Sequence, residues 1–137
     1  MEIESPPIHL DTSVVVRYLT DDPPEMAARA ALLIDSRTPL TVSNLVLVES
    51  AYVLTSVYGI DRAEVAEALA ALMLRSNVEC PHLSVALVVR ALQLAGQPGR
   101  VSFVDALIWG GARQAEAPVA TFDRRFPTEG LELVEPK

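Results

Sequence analysis

At 137 residues, half of them apolar and about a fifth charged, the chain has the size and composition of one folded domain with one core, which excludes a disordered or coiled-coil polypeptide. A formal net charge of −7 argues against broad, nonspecific binding to a phosphate backbone, although almost every cation is an arginine and Lys137 is the sole lysine, so local charge can differ from the total. Cys80 is the only cysteine, so neither an internal disulfide nor a cysteine-based zinc site is available.

The chain opens on Met1 to Pro7, an acidic, Pro-rich extension where a secretory leader would be basic and then apolar. Ile8-His9-Leu10 reads as a short strand that ends at Asp11-Thr12-Ser13, after which Val14 to Leu19 continue apolar. Asp21-Asp22-Pro23-Pro24-Glu25 reads as a helix start, Asp at the cap and Pro in the first turn, leading into Met26 to Ile34. Leu40 to Val42 is a second strand. Ser43 caps a helix that runs to about Tyr58, closes at Gly59 and is apolar on nearly every side, so it should be buried. Asp61-Arg62-Ala63-Glu64 has the form of a capping box and opens a helix carrying Val65, Leu69, Leu72 and Met73. Asn77 to Cys80 is a third strand, Leu83 to Ala95 a helix stopped by Gly96, and residues 97–100 a loop. Ser102 begins a helix to about Ala115, Pro118 to Thr121 is a strand, and Leu131 to Val134 adds an edge strand. In the helix after Ser102, Gly110 and Gly111 together suggest close packing against a neighbouring element or subunit, or a kink.

Strands alternating with helices imply parallel pairing through helical crossovers, hence a three-layer α/β/α sandwich around a mainly parallel central sheet. Nothing in the chain marks a second domain, so residues 1–137 are read as one, with 1–7 as the extension. Ligands of such folds collect at the carboxyl ends of the strands, where Asp11 and Asp123 fall. No apolar run reaches the ~20 residues of a membrane span, and a soluble protein of the reducing cytoplasm is expected.

Four acids then stand out. Glu49 has Leu45, Val46, Tyr52 and Val53 as its helical neighbours, which predicts a carboxylate facing the interior and needing an Arg, a hydrogen-bond network or a metal. The blander reading is a buried Glu–Arg pair. Asp105, in Ser102-Phe103-Val104-Asp105, has a capping role as its blander reading; Asp123 could form a turn or pair with Arg124 or Arg125; Asp11 could cap the segment after it. Each alternative is adequate alone, but one explanation covers all four. Carboxylates that converge without lysines repel one another unless a hard cation neutralises them, and oxygen donors suit magnesium or manganese. Such ions polarise a scissile phosphate and activate a water, which is nuclease chemistry.

With Leu10-Asp11-Thr12-Ser13, Glu49 in mid-helix, Ser102-Phe103-Val104-Asp105-Ala106-Leu107-Ile108 and Thr121-Phe122-Asp123-Arg124-Arg125-Phe126, the chain resembles the PIN-domain family over nearly its whole length. Within it the chain is most similar to the VapC toxins of type II toxin–antitoxin systems. That resemblance implies a Mg²⁺-dependent endoribonuclease, with Mn²⁺ as the other candidate ion, in which Asp11, Glu49, Asp105 and Asp123 hold the metal and Thr12, Ser13 and Thr121 support them. It implies a homodimer and inhibition by a VapB-type antitoxin. The expected reaction is attack of a metal-bound hydroxide on phosphorus, leaving 5′-phosphate and 3′-hydroxyl ends, with Arg17, Arg100, Arg124 and Arg125 steering the RNA.

Rivals from other classes fit less well. A phosphorylation receiver wants a strand-end lysine, and Lys137 is terminal; a haloacid-dehalogenase phosphatase wants Asp-x-Asp, and Asp11 is followed by Thr12-Ser13. A catalytically inactive PIN-fold RNA-binding or regulatory protein is the remaining alternative, opposed by the four intact acids.

Overall fold

In the computed structural model, residues 5–99 and 101–137 are described. Five two-residue strands and six helices run in the order β1 (Ile8–His9), α1 (Thr12–Thr20), α2 (Pro24–Ile34), β2 (Leu40–Thr41), α3 (Asn44–Ser56), α4 (Arg62–Met73), β3 (Val78–Glu79), α5 (Val85–Gly96), α6 (Phe103–Ala115), β4 (Val119–Ala120) and β5 (Leu133–Val134). All pairing between these strands is parallel. β1, β2 and β3 form one sheet in that order, with Ile8 opposite Leu40 and Leu40 opposite Val78; β4 pairs with β5 through Val119 and Leu133. The architecture is the three-layer α/β/α sandwich expected of the alternating pattern, with its parallel sheet in two short pieces.

The helix boundaries follow local chemistry. Ser43, Ser84 and Ser102 each sit in extended backbone and accept a hydrogen bond from the backbone N–H three residues on (Val46, Leu87 and Asp105), satisfying one of the orphan donors of a first turn. One detail settles what the sequence reading left open, and two differ from it. The apolar run Val14 to Leu19 is helical, as α1, because Asp11 caps it. Asp21 is not the cap of the next helix but the left-handed residue that closes α1 (φ 55°), while Pro23 precedes α2 and Pro24 fills its first position. Asp61 stands at the start of α4 without a side-chain cap bond, so the capping box does not form.

Trp109, Ile34, Leu40, Leu47, Leu54, Leu69, Met73 and Leu92 are fully buried at the centre of one apolar cluster. Val65, Leu69, Leu72 and Met73 of α4 are buried as their spacing predicted. Gly96 still belongs to α5 instead of stopping it, and a methyl group there would lie 2.6 Å from the Ala66 Cβ, so the glycine permits α4 and α5 to touch. The paired glycines of α6 differ from each other. Gly110 is buried against α5, where a methyl would make ordinary contacts at 3.6 to 3.7 Å with Ala91, Leu83 and the Leu87 carbonyl, so the packing against a neighbouring element holds there without demanding glycine; a methyl at Gly111 would meet nothing within 4 Å.

The segment after β4 is tied down on α5 and α6. The Trp109 Nε1–H donates to the Glu129 carbonyl at 2.9 Å, Arg113 donates to the same oxygen, and Arg90 forks onto the Glu129 carboxylate. Those bonds fix the far end of the loop that carries Asp123. No described helix is long and apolar enough to cross a membrane.

Candidate metal centre

Asp11 leaves the carboxyl end of β1 and caps α1. Its Oδ2 accepts from the Ser13 hydroxyl at 2.7 Å and, more weakly, from the Ser13 N–H at 3.4 Å. The side chain is exposed, and the Ser13 hydroxyl foremost, then the Ser13 N–H, hold its carboxyl below the ordinary aspartate range. Thr12 beside it is buried. Of the supporting hydroxyls read from sequence, Ser13 touches Asp11 directly.

Asp123 follows β4 and is built the same way, from residues two positions off. Its backbone N–H donates to the Thr121 hydroxyl at 2.9 Å, and its Oδ1 accepts from the Arg125 N–H at 2.9 Å and from the Arg125 Nε at 3.2 Å. The Arg125 backbone bond first, and its guanidinium second, lower the Asp123 carboxyl from its ordinary range. Of the two arginines offered by the sequence, Arg125 is therefore the partner.

Asp105 lies half-buried in the first turn of α6. Its backbone N–H bonds the Ser102 hydroxyl at 3.0 Å, so Ser102 does the capping; the Asp105 carboxylate accepts no hydrogen bond from any other described residue. A cap is thus not what that carboxylate is for. An acid in a first turn is favoured by the helix dipole, which suits either a resting charge or a ligand.

Glu49 requires a correction. It is exposed, not turned to the interior, and its neighbours Leu45 and Tyr52 are exposed with it at 78% and 65%. The buried face of α3 is Leu47, Ser50, Ala51 and Leu54. Because the helix is apolar almost all round, periodicity could not say which side packs, and α3 is half-covered where full burial was expected. The interior polar group of this helix is Ser50, whose hydroxyl is fully buried with no partner among the described residues; Thr41 at the end of β2 carries another. Sequence reasoning passed over both. A serine inside an otherwise apolar run was the available signal for Ser50.

Asp11 and Asp123 lie just beyond the carboxyl ends of β1 and β4, Glu49 in the middle of α3 and Asp105 in the first turn of α6, and among the described residues no group of three or more His, Cys, Asp or Glu side chains comes together to grip an ion. The donor types suit a hard divalent cation, and the local bonds leave Oδ1 of Asp11 and Oδ2 of Asp123 without a partner among the described residues.

The expected RNA-steering arginines divide three ways. Arg17 is half-buried and bonds the Met26 sulfur and the Ser13 carbonyl, beside a cavity of about 380 Å³ that Ser13 also lines. Arg125 is held by Asp123, and Arg124 is exposed with no ion pair among the described residues. Arg100 lies outside the described residues. Phe122, to which the sequence reading gave no role, projects from this turn at 79% exposure.

The family model of the PIN domain matches residues 8–128, from β1 through the Asp123 turn and past Phe126. No curated protein matches the chain. A match over most of its length means that the chain belongs to the PIN-domain family, whose members are generally nucleases that use divalent metal ions.

Proposed function

We propose that this PIN-domain chain is a metal-dependent endoribonuclease that hydrolyses RNA phosphodiester bonds, with Asp11, Glu49, Asp105 and Asp123 as its ion-holding acids. The observation that carries the reading is that Asp11 and Asp123 both stand at the carboxyl ends of strands, β1 and β4, and that among the described residues their carboxylates bond only Ser13 and Arg125, each two residues away. Partners so near in sequence are displaced without disturbing the core. Mg²⁺ is the ion of this proposal, which Asp11 would meet through Oδ1 and Asp123 through Oδ2, the oxygens that Ser13 and Arg125 leave free among the described residues. We assign the chain the part of a VapC-type toxin in the cytoplasm, working as a homodimer and restrained by a VapB-type antitoxin. The exposed Leu45 and Tyr52 of α3 and Val104 and Ile108 of α6 support a protein partner, since they offer apolar surface beside the acids.

The unassembled state of the acids favours a second reading, a PIN fold that binds RNA without cutting it. Total RNA incubated with the purified chain in Mg²⁺ or in EDTA, beside Asp11→Asn and Asp105→Asn, separates the two. Metal-dependent cleavage lost in both variants, with 5′-phosphate and 3′-hydroxyl ends, is the expected result. Well-folded, antitoxin-free chain that never cuts would pass the assignment to the non-catalytic reading, and 2′,3′-cyclic phosphate ends would remove the metal-hydrolytic one.

A further inference from the structure

Phe122 is the most exposed aromatic side chain in the described residues, and nothing in the fold explains it. It stands in the strand-end turn Thr121-Phe122-Asp123-Arg124-Arg125, where Thr121 and Asp123 on either side are half-buried and bonded to each other. A turn whose flanking residues are pinned in this way fixes where the Phe122 Cβ leaves the backbone. Four consecutive residues, Phe122, Asp123, Arg124 and Arg125, line an open depression of about 610 Å³. An aromatic face, an exposed cation and a candidate ion-holding carboxylate therefore share one patch.

On the reading proposed above, we infer that Phe122 is a stacking platform for an unpaired base of the RNA substrate, with Arg124 meeting the adjoining phosphate. Aromatic side chains beside cations are how single-stranded nucleic acid is gripped, because every base offers a π-face whereas bases in a duplex have theirs occupied. The chemistry of the patch selects RNA over a protein partner. Its rim is cationic in a chain of net charge −7, and the ring is bounded by Thr121, Asp123 and Arg124 instead of by other apolar side chains. Exposed apolar residues that a protein would cover lie on other elements, Leu45 and Tyr52 on α3 and Val104 and Ile108 on α6. The platform sets Phe122 apart from the acids as a residue that binds the substrate without taking part in the chemistry.

The test measures binding and cutting separately. Fluorescence anisotropy and 2-aminopurine emission, recorded in EDTA so that nothing is cut, report binding of a short unpaired oligoribonucleotide and of its duplex to the full chain, Phe122→Ala and Phe122→Trp. Expected are a preference for the unpaired strand, quenched 2-aminopurine, affinity roughly tenfold weaker in the alanine variant, and recovery with tryptophan. Equal binding by wild type and Phe122→Ala, no preference for unpaired RNA, or no binding of it overturns the inference. A change of oligomeric state in Phe122→Ala with RNA binding intact overturns it too, in favour of a protein contact. Cleavage by the wild-type chain in Mg²⁺ is scored apart: a chain that cuts but whose Phe122→Ala binds normally loses only the platform, whereas one that stacks the base and never cuts loses only the nuclease reading.

Discussion

Long-range backbone bonds run along both ends of the strands, but the side-chain bonds at the two ends are of different kinds. At the amino ends, the Asn77 amide donates to the carbonyls of Ile34, Ser36 and Thr38 at 3.0 to 3.2 Å, spanning roughly forty residues of sequence, and Arg75 pairs with Asp35 at 3.1 Å. At the carboxyl ends, Asp11 bonds Ser13 while Asp123 bonds Thr121 and Arg125, each only two residues away. Long-range bonds join segments that unfolding would separate, so they stabilise the fold. Bonds two residues long restrain a side chain without closing a large loop, and a ligand can replace them at little cost to the rest. One end is built to stay shut and the other to exchange partners.

That contrast can be broken by substitution. The largest effect is expected at the carboxyl ends: Asp11→Asn or Asp105→Asn should lower metal-dependent RNA cleavage by about 100-fold or more while leaving the thermal midpoint near that of the wild type. A fall in midpoint that matches the lost activity would show the acids to be structural. At the amino ends the pattern should invert. Asn77→Ala strips three part-buried carbonyls of their donor and should cost about 2 kcal/mol in urea unfolding, with cleavage per folded molecule unchanged. Stability equal to wild type would sink the account of that lock.

Smaller effects sharpen the comparison. Arg125→Ala removes the guanidinium from Asp123 but keeps the backbone N–H bond, so Mg²⁺ titrated calorimetrically should bind a few-fold more tightly; weaker binding would mean that Arg125 helps to form the site. The smallest effect concerns acid. Asp11 and Asp123 both have carboxyls lowered by folding, so what their ionised forms contribute is present above the unfolded aspartate value and is lost as pH falls through the folded one. Asp11 being exposed and Asp123 only half-buried, they should produce only a slight loss of stability below about pH 4, reduced further in Asp11→Asn. A pronounced destabilisation already at pH 6 would point to other groups.

Much of this molecule is local chemistry and was therefore legible in its sequence. Ser43, Ser84 and Ser102 each precede a helix, the α4 spacing of Val65, Leu69, Leu72 and Met73 names its own buried face, and the alternation of strands and helices dictates a parallel α/β sandwich. Asp11 and Asp123 could be put at strand ends because a strand's end is marked by the residues beside it. What the sequence could not determine was any choice between equivalent faces. α3 is apolar on all sides, so only its neighbours decide that Ser50 goes in and Glu49 stays out. The glycines of α5 and α6 look alike in sequence, but a methyl would collide with another helix at Gly96, would fit against α5 at Gly110, and would meet nothing at Gly111. The exposure of Phe122 was likewise decided by tertiary structure, since periodicity and capping report on a chain's own turn, and burial depends on what another segment brings to it.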